Sequence, residues 1–419
     1  MHTPKVAVTA CNAAYRPVRC ECFATHRFGL FLFVWLLGAL ILAAPVLASP
    51  AGQTTPEKKE SATPPFDAPA APAPHWKPLI ERLAGDGFSR ENLTRLFARP
   101  DAVYDAAVMG RKMRSLYEIK YRDWMYARVQ KRLDALGWKP GPVDGKPGDM
   151  TMASVRAFQA HHGLQVSGWP SWALLDVLER TKDKAPANFT VPPPPKTTAA
   201  TPHLVYRSAL TPERVDEAVR FYKARKDMFR EVEKRYGVPP EVALGILNVE
   251  TVFGAVLGRH SAFLALASMA ATREWDDLAP SFEGRAVLPD QMPWLIKRTG
   301  EKADWAYAEL TALLDVAEAC GRDPLDIPGS VYGAIGICQF MPTNVQAYGI
   351  DADGDGVIDL FVEEDAVHSL ANFLKAHGFR PGGQNSARQR RAIYRYNQSQ
   401  AYVNTVWAMA DKVRPLLGR

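Results

Sequence analysis

Pro239–Gly254 reads PPEVALGILNVETVFG, and this stretch decides the class of the molecule. Paired prolines suit a helix start, because a proline in the first turn gives up no hydrogen bond. Beyond them Val242, Ala243, Leu244, Ile246, Leu247 and Val249 leave hardly a polar face, which predicts a helix buried in a core and running to Gly254. Glu250 interrupts that apolar run. A carboxylate there is costly to ionise, so its pKa should be raised, which suits a general acid near neutral pH. The same residue could instead lie on a solvated stripe of the helix, and the local sequence leaves both readings open.

Downstream lies GSVYGAIGICQFMP, Gly329 to Pro342. Its glycines leave backbone accessible, while Ser330, Tyr332 and Gln339 bring hydroxyl and amide groups, so it reads as a sugar-binding wall or a tightly packed turn. DADGDGVID follows at Asp351–Asp359. Asp351, Asp353 and Asp355 alternate ahead of Gly356, as in the first half of an EF-hand calcium loop. Loop position twelve is Val362, so the closing carboxylate would have to be Asp365 in a longer loop. Helices are expected near Asp365–His377 and Val403–Leu417. Strand signals are weak, and the fold reads as mainly α.

Upstream, Leu79, Ile80 and Leu83, then Leu93, Leu96 and Phe97, flank a Gly-Phe-Ser turn. This predicts a helical hairpin with Ser89 as N-cap, followed by a helix carrying Met109, Met113 and Leu116. Trp124 to Arg180 forms a compact block. One helix carries Val129, Leu133 and Leu136, a second Val155 and Phe158, and a third starts at Trp172, with a Gly/Pro/Asp loop at Gly141–Asp149. Three helices in some 60 residues make a small domain. The Pro/Ala/Thr-rich residues 49–75 and the stretch 181–202 read as linkers.

Phe28 to Ala44 is an uncharged apolar run preceded by Arg16, Arg19 and Arg27 and followed by Val46-Leu47-Ala48. It reads as a signal peptide cleaved after Ala48, or as an anchor associating residues 28–44 with the inner membrane. Either predicts export. Of five cysteines, three precede Phe28, leaving Cys320 and Cys338 to pair or to stay free thiols. Charged residues make up 23% of the 419-residue chain and hydrophobic ones 47%, which excludes dominant disorder and a multi-spanning membrane protein. The net charge of +6 is spread out, with no dense basic run beyond Arg388–Arg391, so nucleic acid is not an expected partner.

Four of these segments together resemble the membrane-bound lytic murein transglycosylase B family. YGVPPEVALGILNVETVFG resembles the segment with the family's catalytic glutamate and PGSVYGAIGICQFMPTN its glycine-glutamine motif. DADGDGVIDLFVEEDAVHSLANFLKAHGF resembles its extended EF-hand-like loop, and YRYNQSQAYVNTVW its Tyr-Asn motif. The block with VQKRLDALG, GPVDG and VRAFQAHHGLQVSG resembles the small peptidoglycan-binding domain of cell-wall enzymes.

The resemblance implies a lysozyme-like α+β catalytic fold with a separate three-helix peptidoglycan-binding domain. The expected organisation is 1–48 signal or anchor, 49–75 linker, 76–119 N-terminal helices of the catalytic domain, 124–180 binding domain, 181–202 linker and 203–419 catalytic domain. It further implies a periplasmic, monomeric enzyme acting on peptidoglycan glycan strands, with Glu250 as acid and then base and no catalytic cofactor. Ser330, Gln339, Tyr396, Asn397 and Tyr402 match positions lining the groove. Asp351, Asp353, Asp355, the Val357 carbonyl and Asp365 match ligands of a structural Ca2+. Three features depart from the family: Phe373 and Cys338 stand where tyrosine is common, and the segment between Phe379 and Tyr394 is short. A lysozyme-like hydrolase, a non-catalytic wall-binding scaffold and, more remotely, a calcium sensor are the competing readings.

Overall fold

The structure, a computed structural model, describes residues 71–193, 204–285 and 287–418. The expected signal or anchor and most of the first linker lie outside the described residues, as do residues 194–203 of the second linker. Sixteen α-helices, five short 3-10 helices and two strands of two residues each make up the described elements, in line with a mainly α reading.

The chain opens with α1 (Lys77–Gly85), α2 (Arg90–Phe97) and α3 (Ala106–Lys120). Ser89 caps α2 by accepting from the Asn92 amide, and Gly87 takes the left-handed φ of 103° that turns the hairpin. Trp76 is fully buried beside Phe97, and its indole donates to the Ala102 carbonyl at 3.1 Å.

Then come α4 (Arg122–Ala135), α5 (Asp149–His161) and α6 (Trp172–Arg180), around Val129, Leu133, Val155, Phe158 and Leu178. Two glutamines hold the turns of this module in the same way. Gln130 Oε1 accepts from the amides of Asp144 and Gly145, and Gln159 Oε1 from those of Ser167 and Gly168. His161 and His162 pack their rings against Trp138. The stretch expected to be a linker packs back on the module as far as Phe189, whose ring meets Trp138 at 4.8 Å, while the Ala185 amide bonds to Leu136.

The module is docked rather than tethered. Trp172 stacks near Trp124 and donates to the Glu118 carbonyl. Arg285, its side chain only 6% exposed, lies over the Trp172 ring and bonds Asp176 on α6 and Glu118 on α3.

The remaining helices are α7 (Pro212–Ala224), α8 (Lys226–Tyr236), α9 (Pro240–Thr251), α10 (Ala262–Ala271), α11 (Trp275–Leu278), α12 (Met292–Ala319), α13 (Pro342–Tyr348), α14 (Glu363–Ala376), α15 (Ala387–Tyr396) and α16 (Gln400–Val413). Strands β1 (His260–Ser261) and β2 (Pro328–Gly329) pair antiparallel. Helix α9 is central, with every residue from Pro240 to Asn248 buried. It packs on α16, where Gly245 admits the partner backbone: a Cβ there would come within 2.8 Å of the Val406 carbonyl oxygen. The 28-residue α12 packs along α10 and was not singled out from the sequence. Its buried face mixes four alanines and four leucines with Thr299, Lys302, Tyr307 and Glu309, and the buried polar residues blur its periodicity.

Candidate active site

Glu250 occupies the last turn of α9, which ends at Thr251, three residues before the expected Gly254. The cause is local: Val252, Phe253 and Gly254 have φ of 55°, 59° and 90°. A β-branched residue in the left-handed region stores about 1–3 kcal/mol and persists only where the surroundings impose it. Thr251 supplies part of that constraint. Its hydroxyl donates to the Ile337 carbonyl at 2.7 Å and accepts from the Gly254 amide, tying the end of α9 to the Gly329–Pro342 loop.

That loop is braced from within. Ser330 is buried and turns its hydroxyl onto its own loop, accepting from the Tyr332 and Ala334 amides. Gly336, at φ 74°, lies so close to Leu360 that a Cβ would come within 2.4 Å of its side chain. Gln339 is held at φ 51° and donates from Nε2 to the carbonyls of Gly336 and Leu257. Cys338 is fully buried and Cys320 partly so. Both are free thiols, so the alternative of a disulfide is not realised.

Two tyrosines from the C-terminal helices complete the site. Tyr402 donates its hydroxyl to Glu250 Oε1 at 2.6 Å. Tyr396 donates to the Cys338 carbonyl, and the two rings are nearly parallel at 6.4 Å. The cleft between these elements has a volume of about 130 Å³, and Glu250, Gln339, Phe373, Arg395, Tyr396 and Asn397 are among its lining residues. Glu250 is the only carboxylate among them. Asn397 is 5% exposed, and its Oδ1 has no hydrogen-bond partner. A buried acceptor left unmet is costly. Phe373, the departure from tyrosine, faces the cleft and stacks on His377 at 4.0 Å.

Burial pushes the Glu250 carboxyl up to about 7, against the opposing pull of the Tyr402 hydrogen bond. Burial, reinforced by nearby negative charge, also holds Tyr396 and Tyr402 well above the ordinary phenol range. Both therefore remain donors when Glu250 ionises. Arg395, Asn344 and Gln398 also line the cleft and were not expected from sequence. Arg395 and Gln398 flank the Tyr-Asn pair, and that adjacency was the signal available.

In the acidic loop, ligand atoms of Asp351, Asp353 and Asp365 lie within 4.8 Å of one another. Asp355 stays outside this group, exposed, with its carboxylate accepting from the Val357 amide. Asp365 accepts from the Ala352 and Asp359 amides, which aims it into the loop. Three oxygen donors converging without nitrogen or sulfur suit a hard cation such as Ca2+.

Residues 173–390 match the transglycosylase SLT domain family. The chain belongs to that family. The SLT match ends before Tyr396, Asn397 and Tyr402, so the C-terminal wall of the site lies past it. Residues 126–178, nearly the whole of α4 to α6, match a peptidoglycan binding domain family. A curated relative, the membrane-bound lytic murein transglycosylase B of Escherichia coli (strain K12), is 35% identical over 211 residues. The aligned region is 50% of this chain and 51% of the relative, so the chain spans about half the length of the curated relative it matches. Among solved structures, the Escherichia coli lytic transglycosylase Slt35 in complex with calcium aligns at 19% identity over 86% of this chain and 100% of that one, with a TM-score of 0.50. That likeness bears on the fold of this SLT-family member, which agrees with the lysozyme-like expectation. Among the described residues no helix is long and apolar enough to cross a membrane.

Proposed function

We propose that this chain is a peptidoglycan lytic transglycosylase that cleaves the β-1,4 bond between N-acetylmuramic acid and N-acetylglucosamine without adding water. One observation carries the reading: the cleft offers a single carboxylate, with its pKa raised to about 7. Inverting and retaining glycosidases of the common kind need two carboxylates flanking the bond. A lone carboxyl poised near neutrality can give a proton and take one back.

In this reaction the protonated Glu250 donates to the glycosidic oxygen as the bond to C1 breaks, and the N-acetylglucosamine leaves as an alcohol. The resulting carboxylate then takes the proton from the muramoyl C6 hydroxyl. The C6 oxygen attacks C1, closing a 1,6-anhydro ring and restoring the acid. Tyr402 holds the carboxyl in place and steadies its ionised form by hydrogen bonding. Gln339, Tyr396 and Asn397 orient the sugar, and Ser330 shapes the loop that presents Gln339.

In the same reading the convergent carboxylates of Asp351, Asp353 and Asp365 hold a structural Ca2+ that braces the loop beside the site. The module of α4 to α6 retains the enzyme on glycan strands, and the chain is exported to the periplasm, with residues 28–44 as signal or inner-membrane anchor.

Mass spectrometry of soluble products from purified sacculi tests the proposal. Wild type should release muropeptides one water lighter than hydrolysed ones, and Glu250→Gln should release none. Reducing-end products would move the chain to the hydrolases. Full activity in the variant would remove Glu250 from the mechanism.

A further inference from the structure

The basic run at Arg388–Arg391 belongs to α15, and the fold carries it on to the catalytic cleft. Arg388, Arg391 and Arg395 stand three and four residues apart, which puts them on one face of the helix. All three are exposed, and none makes a hydrogen bond or ion pair with another described residue. Arg390, next to Arg391, differs: it donates to Asn385 and Asn404. Arg395 lines the Glu250 cleft, whereas Arg388 and Arg391 do not. The stripe therefore begins at the cleft and, at 1.5 Å per residue, runs about 10 Å away along α15.

This arrangement works against the helix that bears it. No acidic residue on α15 offsets the charge, and like charges three and four residues apart repel. Arg388 is the second residue of the helix, where the positive end of the dipole disfavours a cation. Nothing in the described fold uses the three guanidinium groups, so their charge is left for a partner outside it.

Position and charge together select that partner. The stripe is continuous with the cleft, so it faces the polymer that occupies the cleft, and its charge calls for that polymer's anionic part. On the reading above the polymer is peptidoglycan, whose anionic groups are the carboxylates on its muramoyl lactyl and peptide branches. A lactyl carboxylate freed of peptide lies at the sugar ring itself. Three extended residues of a peptide branch span about 10 Å, the length of the stripe. We infer that Arg388, Arg391 and Arg395 form a subsite for the carboxylates of the stem peptide and so favour peptide-bearing strands over stripped ones. The inference rests on the cleft binding wall glycan, and not on the proton transfers assigned to Glu250.

The test is a calorimetric titration of the full chain carrying Glu250→Gln, which binds without cleaving. Three soluble tetrasaccharides are compared: one bearing stem peptides, the same with its carboxylates converted to amides, and one stripped of peptide. The first should bind about tenfold more tightly than either of the others, by an amount that shrinks with salt. Adding Arg388→Gln/Arg391→Gln should weaken its binding about fivefold, since each exposed ion pair is modest, and leave the amidated strand unaffected. With Glu250 intact, the same double variant should raise KM on peptide-bearing strands and leave kcat unmoved. Equal binding of acid and amide, or unchanged affinity in the double variant, would overturn the inference. Stripped strands binding as tightly as peptide-bearing ones would overturn the peptide as the source of the charge. Binding to phosphatidylglycerol vesicles that the double variant loses, with no preference among the strands, would overturn it in favour of a membrane surface. Reducing-end products from the wild type would overturn the transglycosylase chemistry and leave the subsite standing, whereas failure of every strand to bind would overturn both.

Discussion

Replacing Glu250 by glutamine should stabilise the protein, and by an amount that depends on pH. The carboxyl moves from its ordinary 4.5 to about 7 on folding. Below pH 4.5 it is protonated in both states and favours neither. Between 4.5 and 7 the unfolded chain releases this proton while the folded one keeps it, so stability falls as pH rises. Above 7 both states are ionised and the loss is complete. At 1.36 kcal/mol per pH unit, the difference amounts to about 3 kcal/mol. Glutamine keeps an acceptor for Tyr402 and carries no charge to desolvate. The stability of Glu250→Gln relative to wild type should therefore rise by about 3 kcal/mol from pH 4.5 to pH 8. Guanidinium denaturation of both proteins across that range, compared as a difference, isolates this group from every other titration. A pH-independent difference would mean that burial has not raised the carboxyl, and the case for a neutral-pH acid would fall with it.

Activity should decline as pH rises through about 7, where the acid form of Glu250 is lost. In Tyr402→Phe the ionised carboxylate loses a charge-assisted hydrogen bond, so the alkaline limb of kcat/KM should move up by about one pH unit, and an unmoved limb would remove Tyr402 from that role. Arg285→Met should loosen the docking of the α4–α6 module by about 2 kcal/mol, since it breaks two ion pairs around a buried guanidinium. Calorimetry should then resolve a separate, earlier transition for the module, whereas a single unchanged transition would contradict its docking by Arg285. Saturating Ca2+ should raise Tm and a chelator should reverse the rise, with about 3 kcal/mol expected at one hundred times Kd. Asp365→Asn should abolish that response, and a variant still stabilised by Ca2+ would place the ion elsewhere.

Much of the site was legible because its signals are local. An apolar run from Val242 to Val249 ending in an acid exposes Glu250 to a reader of sequence alone, as alternating aspartates do for the loop at Asp351. Spacing did not show that Asp355 stays outside the carboxylate cluster while Asp351, Asp353 and Asp365 converge, because that depends on which amides the loop presents to each carboxylate. Nor did it show that Ser330 turns into its own loop, where local backbone donors are closer partners than a cleft. The long α12 writes a faint periodic pattern because Thr299, Lys302 and Glu309 are buried among its alanines and leucines.

By itself the amino-acid order determined the helical class, the three-helix module, the acid and its apolar setting, since each rests on residues close in the chain. Tertiary structure decided what required distant segments to meet. Tyr402 reaches Glu250 across 152 positions, Arg285 clamps Asp176 across 109, and Arg414 pairs with Glu241 across 173 while keeping one donor unspent. A hydrogen bond acts over about 3 Å, and only the packed fold determines which groups come that close.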